Sequence, residues 1–264
     1  MNAKFLLLFV MLLASLPAGA STDKSKDSQC TSIRGAEMLT ASRVVVVGDL
    51  NGTNESPAVF HDLACAFASG QGKESRFIGL ELPETFDAYF EKPSESLEAM
   101  LEDEFWSKMG DGRHSAAMRA MVARFMKMRL VLSGQVKLIA LERRPIDAAG
   151  AQKLVDLMSE AGDSRALVLI GNAHARKTRM RQQRVDPFAL VLQKAGMEVL
   201  TLDALAGSGS WWTCLSGCAA RPVFPQPRGT EVKIVVDRCS SPDCAYDGYY
   251  YVPRLTVSNA WKED

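Results

Sequence analysis

Histidine is scarce in this chain, with three residues among 264. Several familiar catalytic signatures are missing altogether. No G-x-S-x-G occurs, so the serine nucleophile elbow is absent. There is no phosphate-cradling P-loop and no G-x-G-x-x-G dinucleotide fingerprint, which leaves nucleotide kinase and nicotinamide oxidoreductase poorly supported. There is no C-x-x-C-H for covalent haem attachment. Charge of one sign is not in excess either. Lys plus Arg number 31 and Asp plus Glu number 31, so electrostatics makes no case for nucleic acid or a membrane surface. Beyond the N-terminus no stretch is apolar enough to span a bilayer, so no integral membrane segment is expected in the mature chain.

What is present begins with a targeting segment. A short basic start runs to Lys4, Phe5 to Leu16 is apolar, and Ala18-Gly19-Ala20 fits the small-x-small cleavage rule. This reads as a signal peptide over residues 1–20, cut near Ala20, and predicts an exported protein in the periplasm or outside the cell. The apolar run is short for an uncleaved anchor, and no cysteine follows the cleavage site to take a lipid. All six cysteines lie in the mature part: Cys30, Cys65, Cys214, Cys218, Cys239 and Cys244. An even count in an exported chain favours disulfides, whose pairing the sequence does not sort. Four of them cluster late, and no histidine stands near to make a zinc knuckle. Cys65, between Leu63 and Phe67 on an apolar helical face, is a candidate buried free thiol.

Residues 21–42 form an N-terminal leader, of which Ser21 to Gln29 is polar. Arg43 to Gly48 then carries the run Val44 to Val47, a buried parallel strand. The loop after it holds Asp49, Asn51, Thr53, Asn54 and Glu55, and Pro57 opens a helix to Ser69. Further strands are predicted at Phe77 to Leu80, Val136 to Leu141, Ala166 to Ile170 and Glu198 to Leu202. Between the second and third, Pro83 to Ser133 reads as helical with breaks, including a Met-rich stripe that belongs to a core. Helices also fit Ala148 to Ala161 and Pro187 to Ala195. The basic stretch Arg176 to Arg184 reads as a solvated surface, with an anion-binding lid as the competing reading.

This alternation predicts an α/β domain over residues 43–206: a mostly parallel sheet flanked by helices, with a helical insertion. Residues 207–264 change composition, with four cysteines, the pair Trp211-Trp212 and the run Tyr249 to Tyr251, and read as a small Cys-rich β appendage holding a hairpin of Val232 to Val236 and Gly248 to Val252.

Parallel strands end on one edge, where ligands bind in such sheets. That edge collects Asp49, Glu81, Glu142, His174 and Asp203. Carboxylates and an imidazole can hold a divalent metal or act as general base and acid. Glu81 is a strong candidate, because a buried strand end rarely keeps an unpaired carboxylate. Of the histidines only His174 stands at a strand end, and Arg113 is placed to neutralise the carboxylates or bind a substrate anion.

These residues resemble the superfamily that groups erythromycin esterase-like proteins, ChaN-like haem-uptake proteins and Tiki/TraB metalloprotease-like proteins. Members carry a strand followed by G-E-x-H-G-T-x-E-x-P, matched here by Gly48 to Pro57. A strand ending in G-L-E-x-P matches Gly79 to Pro83, and F-W followed by D-G-R-x-S-x-A-M matches Phe105-Trp106 and Asp111 to Met118. G-N-x-H-A matches Gly171 to Ala175, and W-x-C-x-x-x-C matches Trp212 to Cys218. Two departures stand out: Asp49 replaces the family's glutamate and Asn51 its first histidine. Asn for His removes a nitrogen ligand and a group that titrates near neutral pH, and an amide oxygen is a poor zinc ligand.

The resemblance implies a hydrolase-like protein working through Glu55, Glu81, Arg113 and His174, with Asp49, Glu81 and His174 as metal ligands and Asn51, Asp111, Ser115, Asn172 and Arg176 in substrate binding. The implied cofactor is a divalent metal (Mn, Co, Fe or Zn) or haem, and the implied partner a small-molecule or peptide substrate, or haem. A haem- or metal-binding protein of ChaN type, with Tyr249 to Tyr251 or His174 as axial ligand, and a catalytically degenerate binding protein are the competing readings.

Overall fold

The computed structural model describes residues 30–258, apart from 71, 73, 109, 111, 143–145, 182, 214–216, 239–240 and 242. The signal peptide, the polar leader to Gln29, Asp111, Cys214 and Cys239 therefore lie outside the described residues. Nine strands are described: β1 (Val44–Asp49), β2 (Ser75–Pro83), β3 (Val136–Glu142), β4 (Ser164–Gly171), β5 (Val199–Ala206), β6 (Ser210–Thr213), β7 (Ala219–Pro222), β8 (Lys233–Val236) and β9 (Gly248–Val252). The α-helices are α1 (Glu55–Ala68), α2 (Asp87–Glu91), α3 (Pro93–Leu101), α4 (Ala116–Lys127), α5 (Arg129–Leu132), α6 (Ile146–Ala161) and α7 (Phe188–Lys194).

The main sheet has seven strands in the order β3-β2-β4-β1-β5-β9-β8. All neighbours pair in parallel except β8 with β9. The apolar runs of the sequence form its centre because both of its faces are covered. On β1, Val45 and Val47 pack on one face with α1, α4 and the insertion, and Val44 and Val46 pack on the other with α6 and α7. A strand's side chains alternate, so an unbroken valine run feeds both layers. From β1 the chain crosses to β2, on the far side of β4, and from β4 it crosses β1 to reach β5. The two connections diverge at the β4–β1 boundary, which makes that boundary the switch point where a crevice opens.

The insertion between β2 and β3 holds α2 to α5, and its Phe86, Phe105 and Trp106 stack edge to face. This cluster lies in the same core as Val45 and Val47, so the insertion is packed onto the sheet.

Two expectations change. The stretch after residue 207 is not set apart from the sheet. Only β6 and β7 form the separate antiparallel pair, while β9 adds to β5 and β8 to β9. Ile234, Tyr250 and Val252 join the main core, because an edge strand left beside β5 would expose an unpaired ladder. Secondly, Cys65 is not a free thiol. It is bonded to Cys30, 35 residues away, and Cys218 and Cys244 are disulfide-bonded as well. The Cys30 bridge ties the start of the described chain onto α1, where Ile33 and Leu39 enter the core. Among the described residues no helix is long and apolar enough to cross a membrane.

Closing a loop of this length restricts the unfolded chain, so the double substitution Cys30→Ser with Cys65→Ser is expected to lower unfolding stability by about 2–4 kcal/mol in a denaturant titration. A midpoint unchanged from the parent would refute the tethering role.

Candidate active site

The strand ends deliver the site. Glu81 lies near the end of β2 between the fully buried Leu80 and Leu82, and its own side chain is 9% exposed. Its Oε2 accepts a hydrogen bond from the Gly171 backbone N–H at 2.6 Å, which joins β2 to the end of β4. Its Oε1 accepts from Arg113 Nη1 at 3.2 Å. The same Nη1 is 3.0 Å from Glu142 Oε1 at the end of β3. One guanidinium thus bridges two carboxylates on neighbouring strands that would otherwise repel each other in a poorly solvated place.

Arg113 is held by close packing of its loop. Gly112 has φ +90°, and a Cβ there would lie 2.6 Å from the Gly52 nitrogen and 2.8 Å from the Asn51 carbonyl carbon. The loop of β1 and the loop before α4 therefore rest backbone on backbone. Trp212 Nε1 donates to the Gly110 carbonyl at 2.8 Å and fixes the same loop from β6.

His174 follows β4 in a tight turn, with its N–H donating to the Gly171 carbonyl at 2.8 Å. Its Nδ1 lies 2.8 and 2.9 Å from the two oxygens of Asp147, which is 4% exposed in the first turn of α6. Nδ1 is committed to Asp147, so Nε2 is the nitrogen left for chemistry, on a ring 31% exposed. The bond from Asp147 is the main cause that raises the imidazole above its ordinary value; burial opposes it, and the charge of Glu81 adds to the rise.

Glu81, His174 and Asn51 converge over Gly171. A Cβ there would sit 3.3 Å from Glu81 Oε2, 3.3 Å from His174 Cδ2 and 3.7 Å from Asn51 Nδ2. Asn51 Oδ1 is buried and has no hydrogen-bond partner among the described residues. An acceptor left in that state costs about 1–3 kcal/mol unless water or ligand supplies a donor.

The other expected residues are placed as follows. Asp49 is buried at the end of β1, and its charge acts on Tyr250, whose phenol burial holds well above its ordinary range. Asn172 is a clamp: its Nδ2 donates to Asp203 Oδ1 at 2.8 Å and its Oδ1 accepts from the Ala204 N–H at 3.2 Å. It spans the end of β1 because Gly48 has no side chain there; a Cβ would come within 1.9 Å of Asn172 Oδ1. Burial pushes the Asp203 carboxyl up, against the bond from Asn172. Arg176 lies half-buried beside Tyr246. The structure does not bring Glu55 or Ser115 into the group. Glu55 accepts from the Thr256 N–H at 2.8 Å and the Thr256 hydroxyl at 2.6 Å, which anchors the C-terminal segment. Ser115 caps α4 by accepting from the Met118 N–H at 3.3 Å. Sequence reasoning missed Asp147, since an acid opening an amphipathic helix looks like ordinary helix-start chemistry. It also missed Tyr246, whose hydroxyl donates to the Asn172 carbonyl at 2.7 Å.

The donor set fits a divalent metal poorly. Glu81 is already neutralised by a guanidinium, and no group of three His, Cys, Asp or Glu side chains suited to a metal stands together among the described residues. The tyrosines expected as haem ligands are engaged elsewhere. Tyr250 bonds Ser56 at 2.8 Å, Tyr251 donates to the Gly229 carbonyl at 3.0 Å, and Tyr249 lies under Arg228.

A seven-stranded α/β sheet with carboxylates, an arginine and a histidine clustered at its strand ends defines the class. No family model matches the chain, and no curated protein matches its sequence. Solved structures do share the fold. A Bacillus cereus protein is 9% identical with a TM-score of 0.52, over 86% of this chain and 92% of its own. A succinoglycan biosynthesis protein is 9% identical at 0.53, over 85% and 91%. The erythromycin esterase EreC, solved as a mutant in its open conformation, is 10% identical at 0.51, over 84% and 94%. At these identities the likeness is one of fold, and it agrees with the resemblance read from the motifs.

The histidine–aspartate contact has a signature in stability. His174 is raised in the folded state above 6.5, so its contribution is fully present below about pH 6.5 and is lost as pH rises through the raised folded value. Asp147→Asn is therefore expected to destabilise the protein more at pH 5.5 than at pH 9. Equal losses at the two pH values, in paired denaturant titrations, would remove the ion pair from the account.

Proposed function

We propose that this chain is an exported hydrolase that cleaves an acyl bond with Glu81 as general base and His174 as general acid. The observation that carries the reading is the convergence of Glu81 and the Asp147-bound His174 over Gly171. A water above Gly171 would lose one proton to Glu81 and keep the other as it attacks, with Asn51 Nδ2, the amide atom nearest Gly171, placed to donate a hydrogen bond to its oxygen. The attack would place negative charge on the carbonyl oxygen, and His174 Nε2 would protonate the leaving group as the intermediate collapses. Asp147 holds the imidazole in the orientation this needs and favours its protonated form, and Arg113 bridges Glu81 and Glu142. Replacement of the family's first histidine by Asn51 moves proton handling onto Glu81 and His174 alone. Export is supported by the N-terminal segment in the sequence and by the disulfides, which persist in oxidising compartments. The fold shared with an esterase supports the reaction class.

Activated esters of para-nitrophenol are the first substrates to test. Glu81→Gln and His174→Ala are each expected to lower kcat/KM by about a hundredfold or more, with folding checked by thermal melts. Turnover that survives both changes would rule the assignment out. A general acid must be protonated, so the rate is also expected to fall as pH rises through the raised value of His174, and Asp147→Asn should move that limb to lower pH.

A further inference from the structure

Several described cations near the site are matched by carboxylates. Arg113 pairs with Glu81 and Glu142, Lys153 with Asp87, Lys177 with Asp247, and Arg179 with Asp186. Arg176, two residues past His174, forms no ion pair among the described residues. Its Nε donates to the Thr178 carbonyl at 3.4 Å, and its guanidinium carbon lies 5.6 Å from the centre of the Tyr246 ring. The charge of Arg176 reaches Asp203, but that carboxyl takes its hydrogen bond from Asn172 Nδ2 at 2.8 Å and forms no ion pair with the guanidinium.

A half-buried guanidinium without a counter-ion is costly unless something arrives to pair with it. The position is also built. The Lys177 N–H donates to the Ala245 carbonyl at 2.7 Å, and the Tyr246 hydroxyl donates to the Asn172 carbonyl at 2.7 Å. Those two bonds fix the start of the segment and the ring under the guanidinium to the end of β4, which carries His174. Further along, Arg181 and Arg184 are exposed and also lack ion pairs among the described residues. The segment thus shows an incoming molecule a positive field that leads to Arg176.

We infer that Arg176, set beside the Tyr246 ring, is the receptor for a carboxylate on the substrate, so that the acyl compound cleaved at Glu81 and His174 is an anion. The inference rests on the hydrolase reading for its reacting bond, but the anion subsite stands on Arg176 itself. A single planar fork suits a monoanionic carboxylate, and a phosphate dianion would ask for more donors than this position supplies.

The test compares the para-nitrophenyl half-ester of adipic acid, with its free carboxylate, against the same compound methylated at that carboxylate. Adipate alone is titrated by calorimetry as a readout independent of turnover. The parent is expected to favour the free acid by roughly tenfold to a hundredfold in kcat/KM, mainly through KM, and to bind adipate. Arg176→Gln is expected to collapse that ratio toward one and weaken adipate binding by the same factor. Arg176→Lys keeps the charge without the fork and should recover part of both, which separates a lost contact from a misfolded variant. If both esters are cleaved equally and Arg176→Gln moves neither the ratio nor adipate binding, the anion subsite is overturned and the hydrolase reading stands. If neither ester is cleaved but adipate binds and Arg176→Gln abolishes that binding, the hydrolase reading fails and the anion subsite survives. Absence of adipate binding together with absence of discrimination also overturns the inference.

Discussion

Two carboxylates that end adjacent strands repel each other in a partly dry crevice unless a cation lies between them. Arg113 is that cation, and much of the site follows from bringing it there. It arrives on a loop from the insertion, not from the sheet. The loop reaches the strand ends only because Gly52 and Gly112 allow backbone to meet backbone and because Trp212 holds Gly110 from the far side. The helical insertion and the C-terminal strands are therefore parts of the site's construction, although each lies far from β2 in sequence. Paired in this way, Glu81 is free to hold the Gly171 N–H, and that bond sets the floor over which His174 and Asn51 meet.

The crevice has two sides that differ in character. On the β2 and β3 side, charges are balanced and buried: Glu81, Glu142 and Arg113, then His174 with Asp147. On the β5 and β9 side, burial pushes the Asp203 carboxyl up, and Arg176 forms no ion pair among the described residues. Asn172 separates the two sides. It lies across the end of β1 in the space left by Gly48, so the register of three strands is locked by one amide. In the proposed reaction, the groups on one flank would react with a substrate that the cation on the other flank orients.

Much of the fold was legible. The valine run of β1, the apolar runs of β2 to β5 and the Gly or Asn loops between them made the parallel sheet and its helices plain. The edge set Asp49, Glu81, Glu142, His174 and Asp203 followed from strand ends alone. Three features escaped that reading. Glu55 looked like a site carboxylate, yet its partner Thr256 lies 201 residues away and no local pattern announces it. Asp147 looked like helix-start chemistry. The tyrosine strand looked like part of an appendage, because a strand's own pattern does not say which edge it will join.

The sequence by itself determined the elements, since periodicity, β-branched runs and turn residues act over a few neighbours. It also determined which polar side chains stand at strand ends. The tertiary structure decided which of them are partners. Whether His174 meets Asp147, whether Arg113 bridges Glu81 and Glu142, and whether Arg176 is left without a carboxylate depend on strand order, on close approaches at Gly48, Gly112 and Gly171, and on contacts between residues tens of positions apart. Those are properties of packing in three dimensions, and the one-dimensional pattern does not encode them in any local form.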